Sequence, residues 1–254
     1  MKKYEKYAMP FLTLLVCLIG WELSVHIFNI SIHILPAPSD IIISLIENFK
    51  TLWMHSLVTL QESIVGLIIA TLLAIITSIV MDLSNKFKLS VYPFLIVTQT
   101  IPVMVLGPLF TMWFGFGMTP KILMVILMCY FPIVISFSDA LKQVNPDLIN
   151  LMKSFNASKL QIYFLVKIPA SFSGLFSGLK VAATYCMSGA IVGEWLNASA
   201  GLGYYMIRAK NGFMMDKVFA CVLMIIILSL GLNILVSLIE KIVIPCKRNG
   251  GKKQ

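Results

Sequence analysis

The chain has 254 residues, of which 59% are hydrophobic and only 12% charged. Soluble domains are about a quarter charged, and the apolar residues here gather into long blocks, so an ordinary soluble enzyme or scaffold is excluded. The net charge of +9 comes with no nucleic-acid-binding motif, which leaves the membrane as the partner of the basic residues.

A helix crossing the hydrocarbon needs about 20 largely apolar residues. Six runs meet that length, at 8–28, 57–81, 91–114, 121–138, 174–195 and 217–243. The first follows Lys2, Lys3 and Lys6, as a signal peptide would. It also carries Pro10, Trp21 and Glu22 and has no small-residue cleavage site, so a retained first span is expected. After it, Pro36 and Pro38 exclude a continuous helix. Ser39 or Asp40 is expected to cap a short helix that lies at the outer surface and runs to about Trp53.

The second span starts after His55 and Ser56, carries Glu62 and Gly66, and ends at Asp82 and Ser84-Asn85-Lys86. The third holds Pro102 and Pro108 within an apolar run, just after Gln99 and Thr100. It should kink or break there. Broken backbone at membrane depth is tolerated where it is buried in protein or lines a cavity, so the bend either lines a pathway or serves packing.

Residues 139–173 are the least membrane-like stretch. Asn145-Pro146-Asp147 opens a helix over about 146–154, with Pro146 suited to its first turn. Asn156 is a left-handed stop. Ser158 caps a following helix with Ile162, Phe164, Leu165 and Ile168 on apolar positions, and Pro169 ends or kinks it. A structured connection between two spans suggests partner docking. The fifth span carries Gly174, Gly178, Gly189 and Gly193, a spacing that serves close packing within the chain or a contact with a second copy. Glu194 and Trp195 end that span, and Gly201-Leu202-Gly203-Tyr204-Tyr205 follows in the next connection.

With a cytoplasmic N-terminus, only Lys50, Lys121, Arg208, Lys210 and Lys217 fall outside. That leaves 15 of the 20 basic residues inside, since 20 less 5 is 15. The positive-inside rule then places both termini in the cytoplasm. Cys17, Cys129, Cys186, Cys221 and Cys246 form no C-x-x-C pair and read as small apolar packing residues. His26, His33 and His55 read as interfacial. There is no phosphate-binding G-x-x-x-x-G-K-[ST] loop and no H-E-x-x-H, so neither ATP hydrolysis nor metal chemistry is expected of this chain.

The connection at 139–173 resembles the signature loop of type I ABC importer permeases, which reads E-A-A, three residues, Gly, nine residues, Ile, any residue, Leu-Pro. The opening positions fall on Asn150, Leu151 and Met152, the glycine on Asn156, and the closing positions on Val166, Ile168 and Pro169. The Glu and both alanines are absent. Asn stands for Gly and tolerates positive φ best among other residues. Further stretches resemble the nitrate, sulfonate and taurine branch: Leu35-Pro36-Ala37-Pro38-Ser39, Pro102, Pro108-Leu109, Trp113-Phe114-Gly115 and Gly201-Leu202-Gly203-Tyr204. Asn145-Pro146-Asp147-Leu148, Phe176-Ser177-Gly178-Leu179-Lys180, Ala182-Ala183-Thr184-Tyr185, Glu194-Trp195 and Val218-Phe219-Ala220 look most like permeases for thiamine pyrimidine precursors, with riboflavin permeases similar.

The resemblance implies an all-α fold of six transmembrane helices in the inner membrane. It implies a coupling loop, with Asn150, Leu151, Met152, Asn156, Ala157, Ser158 and Pro169 in contact with an ABC ATPase subunit. That subunit would bind the ATP, and no cofactor is expected here. An extracytoplasmic substrate-binding protein and a second copy of the chain complete the expected assembly, and nucleic acid is not a partner. Candidate pathway residues are Gln99, Thr100, Pro102, Tyr185, Ser188 and Glu194. Gln99 and Thr100 offer hydrogen bonds at the bend, and Tyr185 can stack on a planar ring. The expected organisation is a tail, first span and outer segment over 1–56, a permease core over 57–245 and a basic tail over 246–254. Two rival classes remain. An ion-coupled secondary transporter needs ionisable residues in mid-membrane, for which Glu62 is the one candidate. A membrane-embedded enzyme needs clustered polar residues, which are not seen.

Overall fold

A computed structural model describes residues 5–244. Lys2, Lys3, Cys246 and the basic tail over 246–254 lie outside the described residues. In chain order the helices are α1 (Glu5–Ile27), α2 (Pro38–Glu47), α3 (Phe49–Leu83), α4 (Asn85–Thr100), α5 (Val103–Phe114), α6 (Met118–Lys142), α7 (Pro146–Ser154) and α8 (Lys159–Ile162). A π-turn over Tyr163–Lys167 then leads into α9 (Ile168–Asn197), followed by α10 (Leu202–Asn211) and α11 (Met215–Val243). Five stretches, Ala8–Ile27, Phe49–Leu83, Met118–Lys142, Lys159–Leu196 and Met215–Val243, are long and apolar enough to cross a membrane. The bent pair α4–α5 makes a sixth candidate.

Several helix ends differ from the sequence reading. The short helix after α1 stops at Glu47, and Trp53, His55 and Ser56 already belong to α3. Its cap is Ala37, not Ser39 or Asp40. Pro38 takes the first helical position, and the Asp40 carboxylate reaches back to accept from the Ala37 N–H at 3.1 Å. Pro169 does not end the helix before it. It stands second in α9, and the π-turn ahead of it absorbs the donor that proline lacks.

The break after α4 has a local cause. Ile101 is extended (φ −78, ψ 123), the conformation a following proline imposes. The two helices meet at 100°. Pro108 stays inside α5, so only Pro102 breaks the chain. The hydroxyl of Thr98 donates to the Leu95 carbonyl and that of Thr100 to the Val97 carbonyl, both at 2.8 Å. Both bonds lie in the last two turns before the break.

The described chain divides into two compact units. One comprises the described residues up to Val58 with Ser199–Ile226. Within it, Glu22 of α1 accepts from the backbone (3.1 Å) and hydroxyl (2.7 Å) of Ser39 and so pins the start of α2. His26 pairs with Glu22, His33 Nδ1 donates to the Phe213 carbonyl, and His55 Nδ1 accepts from the Gly201 N–H. His26 thus serves a local contact, while His33 and His55 tie segments 180 and 146 residues apart within this unit.

The other unit comprises Thr59–Ala198 and the described residues from Ile227 on. Its centre is the antiparallel pair α6–α9. All four glycines of α9 face α6 in the same chain, which assigns this stripe to internal packing and not to contact with a second copy. A Cβ on Gly178 would sit 2.9 Å from the Ile133 Cα, and one on Gly189 2.9 Å from the Val125 Cα. Small residues let helices approach to backbone contact, where van der Waals packing holds them in a bilayer. Asn233 of α11 donates to the Lys180 carbonyl of α9. Ser78 of α3 donates to the Val134 carbonyl of α6 at 3.1 Å. Large apolar side chains remain exposed along α3 and α11, among them Leu72, Ile76, Leu230 and Ile234, as lipid-facing helices require.

Candidate functional site

The break between α4 and α5 opens a cavity of about 550 Å³. Thr98 and Gln99 from α4, Ile101 at the break, Met128 and Phe131 from α6, and Tyr185 from α9 stand on its walls. Tyr185 is 46% exposed, so its ring is open to a guest. Among the described residues that line the cavity none is acidic or basic. The arrangement can stack a planar group on an aromatic ring and offer it hydrogen bonds from an amide and a phenol, with no fixed charge.

Of the six expected pathway residues, the fold brings Gln99 and Tyr185 together here. Thr100, Pro102, Ser188 and Glu194 are not among the lining residues. Thr100 spends its hydroxyl on the backbone, and Pro102 shapes the bend. Met128 and Phe131 were not singled out beforehand. They lie within an apolar run, and only the rotation of α6 selects them.

Glu194 and Glu62 occupy a different place. The Thr59 hydroxyl donates to Glu194 at 2.6 Å, and Lys121 donates to Glu62 at 2.7 Å. Both carboxylates are 1% exposed and Lys121 7%. Lys121 lies in the first turn of α6 and Glu194 in the last turn of α9. Glu62 is therefore level with helix ends and neutralised by a lysine. It is not the lone mid-span acid that a gradient-driven carrier would use.

The connection between α6 and α9 forms the second part of the site. The Asn145 side chain accepts from the Asp147 N–H at 2.8 Å and caps α7. Leu148, Leu151 and Phe155 form a stripe at spacing i, i+3, i+7 and are 46%, 54% and 75% exposed. On a helix of nine residues, this is the spacing with which amphipathic helices present anchors to a groove. Met152 turns inward and is half-buried, while Asn150 is exposed. Leu148 and Phe155 were not among the expected contacts, although the apolar spacing on a helix outside the spans is a signal that could have found them. Asn156 has φ 53, the left-handed stop its position implied. Ser158 and Gln161 form a reciprocal capping box that starts α8, with bonds of 2.7 and 3.3 Å. Ala157 lies in the turn between Asn156 and that cap.

A family model described as "Binding-protein-dependent transport system inner membrane component" matches residues 63–248. The chain belongs to this family. It is the permease subunit of an ABC importer, a multi-pass inner-membrane protein that works with separate ATPase subunits and a substrate-binding protein and is not itself an enzyme. A "Probable ABC transporter permease protein" of Haemophilus influenzae is 34% identical over 87% of this chain and 90% of its own length. The "Formylaminopyrimidine transport permease protein ThiX" of Halalkalibacterium halodurans is 30% identical over 98% of this chain and 99% of its own length. The fold matches the solved structure of an inward-facing MetNI methionine ABC transporter with a TM-score of 0.66. That match covers 77% of this chain and 95% of the other, at 17% identity. The permease falls in the nitrate, sulfonate and taurine branch of the family.

Proposed function

We propose that this permease carries a thiamine pyrimidine precursor, of the hydroxymethylpyrimidine type, from its binding protein into the cytoplasm. It works as a homodimer beside two ATPase subunits, which bind the ATP. The observation that carries this reading is the cavity at the broken span. Its walls offer Tyr185 for stacking and Gln99 for hydrogen bonds and present no charge. A neutral planar heterocycle suits such walls. Sulfonate or nitrate would leave its charge uncompensated there, at a cost of several kcal/mol in an apolar setting. The full-length similarity to a permease named for formylaminopyrimidine points to the same class of cargo. Riboflavin, also planar, is the second reading, since a permease named for it is 26% identical to this chain.

Coupling is assigned to the connection between α6 and α9. Asn150, Leu151, Met152, Asn156, Ala157 and Ser158 place α7 and the following turn against the ATPase, and Pro169 sets the start of α9. The expected division into an N-terminal segment over 1–56, a core over 57–245 and a tail over 246–254 follows the same reading.

The experiment is uptake of labelled hydroxymethylpyrimidine. Cells unable to make the pyrimidine would express permease, ATPase and binding protein together, with the permease omitted as control. Permease-dependent uptake is expected, reduced about tenfold in Tyr185→Ala, the loss of roughly 1.4 kcal/mol of stacking. Absent uptake with all three proteins still co-purifying would reassign the cargo to riboflavin or to an anion of the wider branch.

A further inference from the structure

The base of the coupling connection holds three side chains that the proposed docking contacts leave unused. Asp82 lies in the last turn of α3 and Lys167 closes the π-turn. They form an ion pair at 2.6 Å, with side chains 5% and 21% exposed. The Lys167 ammonium also stands 5.5 Å from the centre of the Tyr163 ring. The Tyr163 hydroxyl is buried beside the same Asp82 carboxylate yet makes no hydrogen bond of normal geometry. A buried hydroxyl left short of its acceptor calls for an explanation.

The π-turn supplies one. The Ile168 N–H bonds to the Tyr163 carbonyl, five residues back. The extra residue turns everything before it by about 100° relative to a regular helix. π-turns inside α-helices concentrate at functional sites. Between Ile79, Asp82 and Leu83 on one side and Leu160, Tyr163 and Phe164 on the other lies a cavity of about 360 Å³. This space separates α8 from the end of α3.

We propose that Asp82, Lys167 and Tyr163 form the joint through which movement of α7 and α8 passes into α3 and α9. The π-turn is the hinge. The Asp82–Lys167 pair pins the hinge to α3 in the state seen here. When the π-turn rewinds, the Tyr163 hydroxyl closes on Asp82 and takes over as its donor. All three are positioning residues and touch no substrate. The proposal rests on the coupling role assigned to α7 and α8, and the test separates the two.

The complex of permease, ATPase and binding protein would be reconstituted in liposomes, with uptake and ATP hydrolysis measured on the same sample. Lys167→Met and Asp82→Asn are each expected to lower uptake per ATP about fivefold while the ATPase still co-purifies. Lys167→Arg keeps the pair and should stay within about twofold of the unmodified complex. The exchange of Asp82→Lys with Lys167→Asp should recover most of the loss. Tyr163→Phe keeps the ring and removes only the hydroxyl, so uptake per ATP should fall while the melting temperature does not. Unchanged uptake per ATP in Lys167→Met and Tyr163→Phe would overturn the joint. So would loss of ATPase co-purification in Lys167→Met, which would make Lys167 a docking residue. Failure of the coupling reading shows separately, as normal co-purification after deletion of residues 146–158.

Discussion

Asn156 stands at φ 53 between α7 and α8, where most L-residues lose about 1–2 kcal/mol. Its short amide side chain tolerates the left-handed region, and a β-branched side chain does not. Asn156→Val should therefore tilt α7 and lower binding-protein-stimulated ATPase activity several-fold. Asn156→Gly should keep that activity. Equal activity in the two variants would show that the turn does not depend on this backbone conformation. The position was legible beforehand because the chemistry is local: a helix must stop between the Pro146 start and the Ser158 cap. The Ser158–Gln161 box was half legible for the same reason, through Ser158. The Glu62–Lys121 pair was not. Its members are 59 residues apart, and nothing in either span says which rotation brings them face to face.

At the scale of elements, proline decided more than hydropathy did. Pro102 lacks a donor and forces Ile101 out of the helix, whereas Pro108, which the sequence marked equally as a kink or break, stays inside α5. Pro169 has the same chemistry and a different outcome, because a π-turn ahead of it accommodates the missing N–H. The glycines of α9 show the limit in another way. Their spacing announced a close contact but did not name the partner, and the fold assigns it to α6. Gly189→Leu would push a side chain into the Val125 backbone, where a Cβ alone would stand 2.9 Å from the Cα. Overpacking of that kind costs about 1–3 kcal/mol. A lower melting temperature in detergent is expected, with Gly231→Leu as control, since its Cβ would meet nothing within 4 Å. Equal melting of the two variants would remove the close-packing account of α6 and α9.

For the whole molecule, the distribution of basic residues makes a prediction about sidedness. Fifteen of 20 lie in segments assigned to the cytoplasm, so both termini should be cytoplasmic. An alkaline phosphatase fusion after Gly212 is expected to be active and one after Gln143 inactive. The reverse pattern would overturn this topology, either by inverting the whole chain or by making α4–α5 a re-entrant loop in place of a span. The sequence by itself determined that the chain lies in a membrane, that it offers about six apolar runs, that Pro102 or Pro108 interrupts the third of them and that Asn156 is a left-handed stop. Each of these follows from hydrophobic length or from the covalent chemistry of Pro, Asn and Ser, which act within a few residues. Only the tertiary structure decided that Gln99 and Tyr185 share a cavity, that Glu62 is neutralised by Lys121 and that Asp82 reaches Lys167. Such pairings depend on how each helix is rotated about its axis. In a bilayer, where lipid solvates an apolar side chain as well as protein does, close packing sets that rotation and hydropathy cannot.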